Sequence, residues 1–311
     1  MGMLFLGRPA HGRQDESQDG YRAEPAAAIW IIVAWASLCG VAACAQAPGT
    51  AALLSVPPRA WAVDAAQNEL KIIGPDGIYL RYRSQVDNAK GTQLRDVVQS
   101  RDGTVARMIA RDGRPLTPEE DSDERQRLQA MLDSPSAFAR HVRGDVSGKK
   151  TAADLVRMMP DAMLFSYAAG QPQPHSGTHA PEVVLDFKPN PNWSPPTMTA
   201  ECLTGFAGRL WVDSASHRLV RIEGTVFHPV NFGLGVLAHI YAGGTLVLEQ
   251  TDAANGRWIF SHFSEHVIAR ELMLKTVREN VEMTTGDFQV VPAMSYQAAI
   301  HLLLDTPLPK N

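Results

Sequence analysis

The chain has 311 residues, with 29 basic against 33 acidic side chains and a formal net charge of −4. That near-neutral balance offers no basic field for a polyanion and argues against nucleic acid as a partner. Of the three cysteines, Cys39 and Cys44 fall in an apolar N-terminal stretch, so Cys202 stands alone in the body and no disulfide framework can form there.

Residues 1–25 mix Arg8, Arg13 and Arg22 with Asp15, Glu16, Asp19 and Glu24. A signal peptide has a short positive leader, so this one reads as an over-extended start or a disordered tail. Ala26 to Ala47 then runs without a charge, and the signal or anchor segment is placed at 26–45. The stretch contains Val41-Ala42-Ala43-Cys44, the pattern of a bacterial lipobox. Three readings fit it. Cleavage before Cys44 would leave a cysteine for acylation, each buried methylene of the added chains contributing about 0.8 kcal/mol of membrane binding. Ordinary secretion would cut after Ala43-Cys44-Ala45. An uncleaved anchor needs about 20 apolar residues, which are present. With Arg22 before the stretch and no charge until Arg59 after it, the body is expected outside the cytoplasm, on the periplasmic side of a membrane.

Residues 46–58 are rich in Ala and Pro and read as a tether, followed by a single domain over 59–311. Pro58 to Ile73 suits a helix, with Trp61, Ala65, Asn68 and Ile72 at three- and four-residue spacing. Gly74-Pro75-Asp76-Gly77 ends it. Strands are expected over 78–83, 92–99 and 105–110, the last two joined by the turn Arg101-Asp102-Gly103. This opening reads as an antiparallel meander with a polar outer face. Thr117-Pro118-Glu119-Glu120 starts a helix: Thr117 caps, Pro118 sits in the first turn and Glu120 completes a capping box. That helix runs to about Leu132, and two short ones follow over 136–142 and 151–159, the last ended by Pro160. Strands at 162–168 and 182–188 flank a loop with Pro, Gly and His. After Gly205 come long strands at 206–213, 217–228, 244–251, 257–270 and 272–284. The tail from Ala293 to Leu304 suits a helix or a last strand.

Strands, then helices, then strands give an α+β fold, a large curved antiparallel sheet forming an open half-barrel, with helices on its concave face. The hairpin 206–228 carries Phe206, Leu210 and Val212 on one face of its first strand and Val220, Ile222 and Val226 on the same face of its second. Arg209, Asp213, Arg221 and Glu223 lie opposite. One apolar face and one wet face need a cover on the apolar side, and the helices between 117 and 159 are the expected cover. The segment 230–238 is a buried crossover or a lip over a cavity; as a lip it places Phe232 and Leu234 at the entrance. These eight apolar residues are the ligand-cavity candidates, and Cys44 the lipidation candidate.

The stretch Gly208-Arg209-Leu210-Trp211-Val212-Asp213, a short turn, and His217-Arg218-Leu219-Val220-Arg221-Ile222-Glu223-Gly224 resembles the central hairpin of the outer-membrane lipoprotein carrier and sorting (LolA-like) family. The wider sequence, over roughly 78–290, resembles the secreted, uncharacterised bacterial branch of that family. The resemblance implies a half-barrel whose concave face binds acyl chains or the lipid part of a lipoprotein. Carrier members use an arginine and a helical lid; no position here is matched to that arginine. A lipid-anchored member would be a fixed acceptor, holder or sensor. The alternative is an envelope scaffold or sensor that docks another protein, and a third reading is a zinc hydrolase using His262, Glu265 and His266.

Two histidine patterns stand against this. His262-Phe263-Ser264-Glu265-His266 matches H-x-x-E-H, in which a helix presents both histidines to zinc. Within a strand the two histidines sit about 13 Å apart and cannot share a metal. His175 and His179 lie in a loop and offer only two ligands. No side chain is therefore expected to act in catalysis or to hold a metal or cofactor. The expected partners are a hydrophobic ligand or lipoprotein, and the membrane through the N-terminal lipid or anchor.

Overall fold

A computed structural model describes residues 50–72, 77–171, 181–232, 237–254, 256–271 and 274–309. Cys44, Leu234, His175 and His179 lie outside the described residues.

The chain enters through α1 (Thr50–Ser55) and α2 (Pro58–Ile72). Residues 50–58, read as tether, are docked on the body: Leu53 is 2 % exposed and belongs to the main core. Trp61, Ala65 and Glu69 are buried along α2 at steps of four, the spacing of one helical face.

A meander follows: β1 (Tyr79–Asn88), β2 (Gly91–Ser100), β3 (Gly103–Arg111) and the short β4 (Arg114–Pro115). Next come α3 (Pro118–Asp133) and α4 (Pro135–Ala162). The capping box forms as the sequence predicts: Glu120 N donates to Thr117 Oγ1 at 3.2 Å, and Thr117 N to Glu120 Oε2 at 2.8 Å. The two short helices expected over 136–159 are one helix of 28 residues. Gly144 and Gly148 do not break it, and Pro160 falls in its last turn. There the proline forfeits one backbone hydrogen bond, and Arg59 Nε donates to its carbonyl at 3.0 Å, so the helix closes at Ala162 rather than before Pro160.

The remaining strands are β5 (Met163–Tyr167), β6 (Glu182–Pro189), β7 (Phe206–Asp213), β8 (Leu219–Val226), β9 (Val230–Phe232), β10 (Ala238–Ile240), β11 (Thr245–Ala254), β12 (Arg257–Glu271) and β13 (Lys275–Val291). A 3-10 turn at Thr199–Thr204 precedes β7, and α5 (Tyr296–Asp305) ends the fold. The tail is thus helical, with Ser295 Oγ accepting from Ala298 N.

All described pairings are antiparallel, and 13 strands form one sheet that does not close: β4-β3-β2-β1-β13-β12-β11-β8-β7-β6-β5, with the β9–β10 hairpin joined to β12. The expected α+β class with a large antiparallel sheet is therefore what the chain adopts. One face wraps a single core. Leu80 and Val97 near one end share it with Phe187 and Leu210 near the other, and Trp61, Ala62 and Ala65 of α2 close it. The last turns of α4 pack beside α2 on this inner face.

The outer face of the meander is not polar. Val98 and Val105 are fully buried there beneath Leu128 and Met131 of α3 and Ile300 and Leu303 of α5. Phe138, early in α4, stacks on Tyr296 with ring centroids 3.7 Å apart. The expected cover is thus divided: α2 and the end of α4 serve the inner face, while α3 and α5 serve the outer. The consecutive Val97 and Val98 make this necessary, because neighbours in a strand point to opposite faces and each needs its own shelter.

Candidate functional site

A cavity of about 20 Å³ lies where α2 and α4 meet β7 and β8. Ala62, Ala65, Ala66 and Glu69 form its α2 wall, Val156 and Met159 its α4 wall, and Leu210, Leu219 and Ile222 its floor. That volume admits about one water molecule. Ligand pockets are typically about 300–1,000 Å³, so an acyl chain enters here only if a helix moves.

The expected floor is met in part. Leu210 and Ile222 line the cavity, and Val212 is buried in the same core. Phe206 packs against that core from its edge and lies 5.5 Å from Phe187, ring to ring. The register slips between Trp211 and Val212, so Val212 faces Leu219. A bulge of this kind shifts the alternation by one residue. Leu219 thus takes the inner position that simple alternation assigned to Val220, which is buried outside the inner cluster. Phe232 and Val226 sit elsewhere, with Val230, Ile240 and Val267 in a small cluster of their own around β9 and β10.

The wet face of the hairpin is ionic. Arg209 Nε donates to Asp186 at 2.6 Å, and Arg221 bridges Glu223 (2.8 Å) and Glu249. The guanidinium carbons of Arg209 and Arg221 stand 6.0 and 5.3 Å from the Trp211 ring. Such exposed pairs contribute at most about 1 kcal/mol each. Asp213 instead folds into the β7–β8 turn, accepting from Ser216 N at 2.7 Å.

That turn holds α2. Asp64 Oδ2 lies 2.8 Å from His217 Nδ1, and Asn68 Nδ2 donates to the carbonyls of Ser216 (3.2 Å) and His217 (3.0 Å). The Trp61 ring rests 4.5 Å from the His217 ring. His217 has φ of 55°, a left-handed conformation uncommon outside glycine. Across the helix, Trp61 Nε1 donates to Tyr167 Oη at 3.1 Å, which donates in turn to the Leu53 carbonyl at 3.0 Å.

Glu69 was not foreseen. It is 1 % exposed, and Gln250 Nε2 of β11 donates to its Oε2 at 3.0 Å. Oε1 is buried without a hydrogen-bond partner. Burial pushes the carboxyl up to about 8, against the lowering effects of Gln250, the Arg218 charge and the Leu219 backbone. The signal was present in the sequence: Glu69 continues the Trp61–Ala65 stripe by four, one position on from Asn68. Glu182 is a second buried acid, pushed up to about 7 by burial and by the Asp213 carboxylate opposite it.

The histidine pattern lies in β12. His262 Nε2 pairs with Glu282 and His266 Nδ1 lies 3.2 Å from Asn280 Oδ1, while Glu265, 6 % exposed, belongs to the buried face with Phe263 and Val267. Strand alternation thus separates the glutamate from both histidines. Cys202 packs between the main core and the β9–β10 cluster, and burial pushes its thiol up to about 12, the behaviour of a small hydrophobe. Among the described residues no helix is long and apolar enough to cross a membrane.

No protein-family model, curated protein or solved structure matches the chain.

Proposed function

We propose that this protein binds a hydrophobic ligand, an acyl chain or the lipid part of a lipoprotein, on the inner face of its open sheet, without acting as an enzyme. The observation that carries this is the cavity between α2 and the β7–β8 floor: largely apolar, wedged between a sheet that does not close and a helix whose polar ties are few and separate, to the β7–β8 turn, Pro160, Tyr167 and Gln250. Its three alanines leave α2 few bulky side chains to withdraw if it slides outward. The resemblance of 208–224 to the LolA-like hairpin supports the same reading. In this proposal the body is exported and held on the periplasmic side of a membrane through acylated Cys44.

Refolding delipidated protein from denaturant in the presence of a labelled fatty acid tests the binding. Stoichiometric uptake is expected; none at micromolar ligand overturns it. Palmitate labelling of wild type but not Cys44→Ala is expected for the anchor. The small cavity favours a second reading, an envelope scaffold, which predicts a protein partner recovered by cross-linking and no lipid uptake.

A further inference from the structure

The cavity beneath α2 sets one polar side chain among apolar walls. Among the described residues Glu69 is the only charged or hydrogen-bonding side chain lining it, it is 1 % exposed, and its Oε1 has no hydrogen-bond partner. An unmet buried polar atom costs about 1–3 kcal/mol, and folded proteins keep few of them. The space would admit one water, but an ordered water needs two to four polar partners; Gln250 already occupies Oε2, the Leu219 backbone and the Arg218 charge act on the carboxyl from the β8 side, and the remaining walls are apolar.

We infer that Glu69 is the recognition residue of the site, and that it holds the carbonyl oxygen of an acyl ester or acyl amide whose chain runs along the alanine face of α2. This rests on the binding reading above and adds the ligand's polar group and the residue that selects it. Oε2 already accepts from Gln250 Nε2. With the carboxyl pushed up to about 8 by burial, a proton is present at neutral pH and falls on Oε1. A hydroxyl donor in an apolar space selects a neutral acceptor. A hydrocarbon would leave the donor unmet, and a cation is opposed by the Arg218 charge that acts on Glu69. A carbonyl on an otherwise apolar chain satisfies both the donor and the walls.

Tryptophan quenching tests this, because Trp61 precedes Ala62 on the same helix. The probes are dibromostearic acid methyl ester, the N-methyl amide of the same acid, and dibromooctadecane. They are titrated into the delipidated full-length protein, wild type, Glu69→Gln and Glu69→Leu. Wild type is expected to bind one or both carbonyl probes at least about tenfold more tightly than the alkane, as one hydrogen bond allows. Glu69→Gln, whose amide still donates, keeps that preference. Glu69→Leu binds ester, amide and alkane alike. Leu removes an unmet polar atom but also the acceptor of Gln250 Nε2, so this variant is expected to melt somewhat lower than wild type yet in one cooperative transition, which separates a lost preference from a lost fold. A wild type that binds the alkane as tightly as both carbonyl probes overturns the role of Glu69 and leaves the binding reading standing. So does a preference that survives Glu69→Leu. Quenching by no probe overturns the binding reading and this inference together. A ranking of ester over amide, or the reverse, supports the inference and names the source of the carbonyl.

Discussion

Arg107 and Leu303 tie the first hairpins to the end of the chain: Nη1 of the fully buried guanidinium donates to the Leu303 carbonyl at 2.6 Å. The same nitrogen donates to the Thr306 carbonyl at 2.7 Å, and Nη2 pairs with Asp121 of α3 at 2.7 Å. One side chain thus reaches two carbonyls at the end of α5 and fixes α3 beside them. Arg107→Met takes away the Thr306 carbonyl's donor and leaves Leu303 only the long bond from Thr306 N at 3.4 Å. A loss of about 3–5 kcal/mol in urea unfolding is expected, and a change below about 1 kcal/mol would show that α5 docks by apolar contact alone.

Stability should fall as pH rises from about 5 to 8. Glu69 and Glu182 start from an ordinary value of 4.5 and are raised to about 8 and about 7 in the fold. Over that window the folded chain holds protons that the unfolded chain has released, so unfolding is favoured by rising pH. The stabilisation is complete below pH 4.5 and is lost through pH 7 to 8. For one such proton the slope approaches about 1.4 kcal/mol per pH unit. Glu69→Gln should remove about half of the slope between about pH 5 and 7 and nearly all of it above about pH 7, in denaturation curves at matched ionic strength; an unchanged slope would place the buried charge elsewhere.

Asn68→Ala should loosen α2 without melting the sheet. Its side chain donates to two carbonyls of the β7–β8 turn, net contributions of about 0.5–1.5 kcal/mol each. Hydrogen exchange is expected to quicken by roughly tenfold in α2 and to stay unchanged in β2. Uniform acceleration across both would mean that α2 is part of the global unfolding unit.

Gly208 and Gly224 face each other across β7 and β8, and a Cβ on Gly208 would stand 2.0 Å from the Glu223 carbonyl oxygen. On Gly224 it would meet the Phe206 ring at 2.3 Å. Gly208→Ala meets backbone and should cost about 1–3 kcal/mol or more. Gly224→Ala meets the Phe206 ring first, with the Ala207 carbonyl oxygen farther off at 2.9 Å, and should cost less. Thermal melts of the two variants decide the order.

Much of this architecture was legible wherever one residue type has one physical use. Thr117, Pro118 and Glu120 could only start a helix, and Phe206 to Asp213 showed its strand by alternation. The failures have equally local causes. The expected gap at 143–150 and the stop at Pro160 divided α4, but helix packing outweighs the cost of the glycines in that gap, roughly 1 kcal/mol each. Val97 and Val98 announced shelter on both faces of β2, yet nothing nearby named α5, nearly 200 positions away, as the outer cover. The bulge after Trp211 lies in backbone geometry that alternation cannot foresee, and it exchanged Leu219 for Val220. Glu69 was passed over because a charged residue on an apolar stripe is usually taken as its edge.

The helices make the sheet mechanically uneven. β2 and β3 are clamped like a plate gripped from both sides, with α3 and α5 outside and the main core within. Through β7, β8 and β11 the outward surface carries the ion pairs of Arg209 and Arg221 around Trp211. The β7–β8–β11 stretch is therefore expected to bend more readily than β2 and β3. The amides of β8 should then exchange ahead of those of β2, and any widening of the inner space starts beneath α2, where Glu69 waits.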